Sequence, residues 1–245
     1  MIKAACKFNK NGNIKLGTTG YSFSKLAGNT EFTIEGEKIV GSCGRHCAGC
    51  WTEAIKAGRR PACYVAKSYR HPSVKIGHAR NTKMFRQDIE KAFEILNKTI
   101  DRAKNKPVFV RINQSGELET VKEFLSWCDM ARKNPDIKFW LYTKAFDIVS
   151  FALDRNLVPD NMTILFSIWH EYGINEFLKY SERENVKAFV YDDKTFNYAA
   201  HNINITTYCH AYDENGKLNH AVTCDKCQKC FNRILSCKVI GCFDH

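Results

Sequence analysis

Between residues 84 and 191 two hydrophobic rhythms alternate, and that alternation limits the folds open to the chain. Phe85, Ile89, Phe93, Leu96 and Ile100 recur at steps of three or four, the period of an amphipathic helix over 84–104. Pro107 stops that rhythm, and the residues after it form a short buried strand at 108–112. Gln114-Ser115-Gly116 turns the chain into a second helix over 118–133, carried by Leu118, Val121, Leu125 and Cys128. Strands at 138–142, 163–168 and 187–191 then alternate with helices at 145–154 and 174–183. Short apolar strands separated by helices imply parallel βα units. Four such strands, with room for one or two more near 39–42 and 203–208, are too few for an eight-stranded barrel of about 250 residues. The expected fold class is therefore α/β, a partial (open) parallel βα barrel with a C-terminal cysteine-rich metal-binding element. Ligands in such folds sit at the C-terminal ends of the strands.

The expected division is an extended or hairpin lead-in over 1–42, the barrel over 43–205 and the cysteine-rich element over 206–245. In the lead-in, 31–40 alternates around Glu35-Gly36 as a hairpin does. With 44% hydrophobic residues the chain has enough apolar surface for a core, which excludes disorder over most of its length. No stretch reaches the roughly 18 apolar residues of a membrane helix, and the first residues carry no signal-peptide core. The expectation is a cytoplasmic protein, in a compartment where clustered cysteines hold metal more often than they form disulfides.

There are 12 cysteines. Cys43, Cys47 and Cys50 form a Cx3Cx2C run, with Cys63 shortly after. Three thiolates this close suit three irons of a [4Fe–4S] cluster, leaving the fourth iron for an external ligand or for Cys63. The other reading is zinc, completed by His46 or Cys63. Cys224, Cys227 and Cys230 form a Cx2Cx2C run, the spacing of half a ferredoxin-type site. Its fourth ligand is Cys209 or Cys237; Cys209 is preferred because Asp213-Glu214-Asn215-Gly216 supplies a turn between the two arms. Four-thiolate zinc is the rival metal here too. Cys237 and Cys242 are too loosely spaced to assign, and Cys128 reads as a core residue of its helix.

At these residues a resemblance enters. Cx3Cx2C is the spacing with which radical S-adenosylmethionine (SAM) enzymes hold a [4Fe–4S] cluster with one open iron. Ser115-Gly116-Glu117, after the strand at 108–112, resembles the turn with which they bind the SAM ammonium. The closer resemblance is to a cysteine-rich phage family, gene product 88. It is carried by Cys63-Tyr64-Val65-Ala66, by Arg111 through Ser115-Gly116-Glu117, by the run from Pro135 to Phe139 and Tyr142-Thr143-Lys144, and by Cys209 with Cys224, Cys227 and Cys230. Asn113 stands where that family has His, Glu117 where it has Asp, and residues 51–62 form an insertion. The resemblance implies a radical-SAM-like iron–sulfur enzyme with one or two [4Fe–4S] clusters, acting on an unknown substrate with an external electron donor, in the host cytoplasm if phage-encoded. Cys43, Cys47, Cys50, Cys63, Cys209, Cys224, Cys227 and Cys230 would be the metal ligands, and Ser115, Gly116 and Glu117 the SAM turn. If all four N-terminal cysteines hold one cluster, no iron stays open for SAM.

Arg111 and Asn113, alternating on one strand face, and Lys144, at the next strand's end, are the candidate catalytic residues. Ser167, Trp169 and His170-Glu171 end the strand after. Lys plus Arg outnumber Asp plus Glu by 37 to 26, a formal charge of +11. Lys56, Arg59, Arg60, Lys67, Arg70, Lys75, Arg80 and Lys83 concentrate within 56–83, interleaved with Tyr64, Tyr69 and His71. That pattern suits a nucleic-acid backbone with stacked bases, and gives the alternative function: a non-catalytic, metal-stapled binding protein.

Overall fold

In the computed structural model the described residues are 6–10, 16–28, 31–47, 63, 65–168, 171–192, 203–213, 215, 217–233 and 237–243. Nine strands are described: β1 (Gly20–Ser24), β2 (Glu31–Ile34), β3 (Glu37–Val40), β4 (Phe109–Ser115), β5 (Lys138–Thr143), β6 (Met162–Ile168), β7 (Val186–Asp192), β8 (Thr207–Tyr208) and β9 (Val239–Phe243). Seven form one sheet in the order β1-β4-β5-β6-β7-β9-β8, and every pairing in it is parallel.

From β4 to β7 each strand lies beside the next in sequence, joined by the helices Val121–Lys133, Phe146–Asp154 and Glu171–Leu178. Period-two alternation sorts the side chains. Val110, Ile112, Phe139, Leu141, Ile164, Phe166, Ala188 and Val190 join the helices in one core, with Phe124, Trp127 and Val149. Phe109, Trp140, Leu165 and Ile240 face the other way and pack with Leu16 and Phe231. At about 25 cal/mol per Å2 of apolar surface, such two-sided burial is what holds a parallel sheet together.

Three expectations change. The helix foreseen over 84–104 is two helices, Pro72–Gln87 and Ile89–Asp101. Asp88 breaks it: its backbone is extended (φ −155°) and its carboxylate accepts the Lys91 N–H at 2.9 Å as an N-cap, which hydrophobic spacing does not reveal. The strand foreseen near 39–42 is β3, paired antiparallel with β2 outside the main sheet. Its turn is the one read at Glu35-Gly36, both at positive φ (52° and 78°) as a two-residue hairpin requires. Finally, β1 and β9, at opposite ends of the chain, enter the main sheet. The lead-in and the cysteine-rich element thus both contribute strands to the same sheet as the middle of the chain.

A buried ion pair fixes the tip of β1. Lys25 is fully buried, and its ammonium donates to Glu123 at 2.7 Å and to Glu119 at 3.3 Å. Glu123 lies in the first turn of the helix Val121–Lys133, whose N-cap Thr120 accepts the Glu123 N–H.

Candidate metal centres at the strand tips and on the sheet face

The first thiol group hangs on the C-terminal tips of β1 and β4. Beyond β1, Leu26 O accepts from both the amide (2.7 Å) and the hydroxyl (3.0 Å) of Ser42. The next residue, Cys43, accepts the Gly28 N–H on its sulfur at 3.1 Å. Gly41 allows this contact, since a Cβ there would come 2.2 Å from Gly28 O. Ser42 also accepts the Glu117 N–H at 3.0 Å, tying the cysteine loop to the Ser115-Gly116-Glu117 turn. Gly116 is at φ +82°, and its Cβ would meet the Ser42 hydroxyl at 2.4 Å, so only glycine fits.

Tyr69 sits among these groups. Its hydroxyl accepts the Ala27 N–H at 2.7 Å and lies 3.4 Å from both Ser115 Oγ and His78 Nδ1. Burial chiefly drives its phenol ionisation up, and Cys43 and Cys63 add to that, which puts both cysteines within electrostatic reach of one hydroxyl. The backbone of Cys47 lies in the turn Gly44–Cys47, but its side chain and all of Cys50 lie outside the described residues. His46 faces the Asp147 carboxylate at 3.9 Å.

Glu117 is buried, and its carboxylate accepts from Leu118 N (2.9 Å), Thr143 Oγ1 (2.8 Å) and Lys144 N (2.7 Å). It thereby clamps the tip of β4 to the tip of β5. Lys144 is drawn in through its backbone amide. Ser115 Oγ donates to Lys25 O at 2.9 Å. Ser167 is buried near the end of β6, while Trp169 and His170 lie outside the described residues.

The second thiol group lies across the face of the sheet away from the helices. The Cys209 N–H donates to Gly241 O of β9 at 2.8 Å. Cys224–Cys227 is one helical turn, and Gln228 at φ 57° swings Cys230 back toward it. The Cys230 sulfur lies 3.1 Å from the Tyr142 hydroxyl on β5. Burial raises the ionisation of this thiol most; Tyr142 opposes, and Cys209, Cys224 and Cys227 raise it further. Cys209, Cys224 and Cys230 pack on the same apolar cluster. Cys237, the other fourth ligand read from the sequence, has its sulfur 3.7 Å from the buried Lys187 ammonium and 3.7 Å from Lys229 O, beside Cys230. Among the described residues no group of three or more His, Cys, Asp or Glu side chains is spaced to hold a single metal ion.

Four side chains build this second site: Phe231 and Lys187, which no sequence signal singled out, Tyr142, which entered with the family resemblance, and Arg111, a candidate catalytic residue. Phe231 stacks on Phe109 (ring centroids 4.9 Å apart) and packs on Trp140, pinning the residue after Cys230. The Lys187 ammonium donates to Lys229 O (2.7 Å) and Asn232 O (2.8 Å), holding the loop on either side of it. Tyr142 packs on Phe189 at 4.4 Å. Arg111 places its guanidinium 5.1 Å from the Trp140 ring and 4.8 Å from Tyr142, a cation that eases Tyr142 ionisation against burial and the thiols. The signal was present as Trp140 and Tyr142, two residues apart on β5, but alternation alone does not say which face meets the cysteines.

Cys6 and Cys128 are buried core thiols, pushed up to about 12 by burial and hence unreactive. On the basic stretch, Arg80 and Lys83 pair with Glu35, Lys83 also with Glu37, and Arg86 with Glu119. Lys75 lies over the Phe32 and Tyr69 rings. Lys56, Arg59, Arg60 and Tyr64 lie outside the described residues. No described helix is long and apolar enough to cross a membrane.

Comparison with curated proteins and with solved structures gives no match. A family model, Gene product 88, matches residues 6–233. That span contains the strand-tip thiols, the Ser115-Gly116-Glu117 turn and all four thiols on the sheet face, and the chain belongs to this phage protein family.

Proposed function

We propose that the protein is an iron–sulfur protein of radical-SAM-like type on a partial βα barrel, with a second, fully protein-ligated centre. The observation that carries the reading is that Cys209, Cys224 and Cys230 pack against one apolar cluster on the sheet face, with the Tyr142 hydroxyl 3.1 Å from the Cys230 sulfur. A thiolate out of water needs a hydrogen-bond donor, and Tyr142, with the Arg111 guanidinium 4.8 Å from its ring, stands beside Cys230 to supply one. The successive order of β4 to β7, with helices on one face, supports the partial-barrel winding.

At the strand tips Cys43 already accepts a backbone N–H, the contact that stabilises a metal-bound sulfur, which supports a cluster there. Cys43, with Cys47, Cys50 or Cys63, would hold a [4Fe–4S] cluster, and Cys209, Cys224, Cys227 and Cys230 a second. When reduced and bound with one open iron, such a cluster supplies the electron that cleaves SAM. Glu117 positions the tips of β4 and β5. A carboxylate offers about four acceptor sites, so three internal bonds leave room for one from an ammonium.

The test is iron, acid-labile sulfide and zinc per chain after anaerobic purification, followed by 5′-deoxyadenosine formation from SAM by the reduced protein. About eight iron and eight sulfide with nucleoside formation is the expected result. Zinc without sulfide overturns the iron–sulfur reading, and clusters without nucleoside formation overturn the SAM part. Nucleic-acid binding through 56–83 is the weaker reading, because Arg80 and Lys83 are paired with the β2–β3 hairpin and Lys75 rests on aromatic rings.

A further inference from the structure

Asn113 on β4 combines three features that a structural residue rarely carries together. It is 4% exposed, yet neither its carboxamide oxygen nor its nitrogen has a hydrogen-bond partner. Its backbone is left-handed, φ 47°, a conformation costly for any residue but glycine and least so for Asn or Asp. It also sits in a bulge. Ser22 pairs with Arg111 and Ser24 with Ser115, so a single residue of β1 faces three of β4. Bulges and strained backbone cluster at sites where a side chain must be re-aimed.

The place is as telling as the strain. Asn113 lies between Arg111, whose guanidinium rests on the Tyr142 ring of the sheet face, and Ser115, which meets the Tyr69 hydroxyl of the strand-tip group. It stands at the C-terminal end of a parallel strand, where this kind of sheet binds ligands.

We propose that Asn113 is a ligand-reading residue whose carboxamide takes the hydrogen-bonding edge of a nucleobase. An Asn carboxamide presents one acceptor beside one donor, and a base edge presents the complement, which is how Asn reads adenine elsewhere. The buried, unsatisfied amide is the cost of specificity: a ligand that lacks the matching edge leaves it unpaired. The proposal needs no metal, so its failure leaves the iron and sulfide counts, and the reading built on them, untouched.

The experiment is thermal unfolding of the purified full chain with millimolar adenosine, uridine or glutamine, for the wild type and two variants. Asn113→Gly relieves the left-handed backbone and removes the carboxamide. Asn113→Asp keeps the shape and removes the donor. Adenosine or uridine is expected to stabilise the wild type, the one that does so identifying the edge read. That shift should disappear in Asn113→Gly and weaken about tenfold in affinity in Asn113→Asp, while ligand-free Asn113→Gly unfolds at the wild-type temperature or above it. A ligand-free Asn113→Gly that melts several degrees lower would mean an internal role, and overturns the proposal. So do a wild type stabilised by neither nucleoside, one stabilised by glutamine alone, and a nucleoside shift that survives in Asn113→Gly.

Discussion

The two thiol groups of this protein are built in opposite ways. The strand-tip group is carried by loops, and backbone hydrogen bonds through Leu26, Gly28, Ser42 and Tyr69 position Cys43. The sheet-face group is carried by a segment that lies on aromatic side chains, wedged by Phe231 and held by the buried Lys187. One hangs on backbone hydrogen bonds at the strand ends; the other rests on side chains of the sheet. The comparison teaches that thiols of similar intermediate exposure can be held by different means, since Cys43 is placed by a backbone amide and Cys230 by an aromatic hydroxyl.

The largest effect that tests the contrast is on metal content. Cys230→Ser should remove one centre of two, lowering iron from about eight to about four per chain, and Cys43→Ser should remove the other. If either variant empties both, the two groups form one site and the contrast collapses.

Next in size is the ion pair beneath the strand tips. Lys25→Met strands the buried Glu123 carboxylate and should cost about 3–5 kcal/mol in denaturant unfolding. Lys25→Met combined with Glu123→Leu should recover much of that loss, whereas an equal loss in the double variant would show that packing and not charge is at stake.

Acid should reach the strand-tip side by way of His78. Burial holds this imidazole down to about 4 from its ordinary 6.5, so the folded protein keeps it neutral where the unfolded chain takes up a proton. Stability should therefore fall as pH drops from about 6.5 toward 4, by up to about 3 kcal/mol from this group, and His78→Gln should flatten that slope. An unchanged slope in the variant would assign the acid sensitivity elsewhere.

The smallest effect sharpens the other side. Tyr142→Phe deletes the hydroxyl beside Cys230 and should cost about 1 kcal/mol, while shifting the absorption of the sheet-face centre alone. A change in the spectrum of a Cys230→Ser background would contradict that confinement.

Much of this architecture was readable from periodicity. The strands from β4 to β7 and the turn at Glu35-Gly36 declare themselves because buried strands need runs such as Thr163 to Ile168, and a tight hairpin needs a residue like Gly36. That Cys224, Cys227 and Cys230 lie on one short segment was legible because their spacing is a local property. What stayed hidden was non-local. β1 is rich in Ser and Gly and earns its place only by pairing with β4 about 90 residues away. Glu117 matched a ligand-binding turn in sequence, yet its carboxylate is turned onto Thr143 and Lys144, a partnership visible only once β5 stands beside β4. Lys187 and Phe231 carry no motif at all, and Tyr142 entered only with the family resemblance.

The strand order β7-β9-β8 has a consequence for assembly in time. β8 touches the sheet only through β9, and the Cys209 amide is bonded to the same strand. The earlier of the two strands must therefore wait for the later one, and Cys209 cannot be fixed beside Cys230 until β9 has docked on β7. Metal bound by the sheet-face cysteines, as proposed, would therefore join a segment whose docking depends on β9, closing the fold and not starting it.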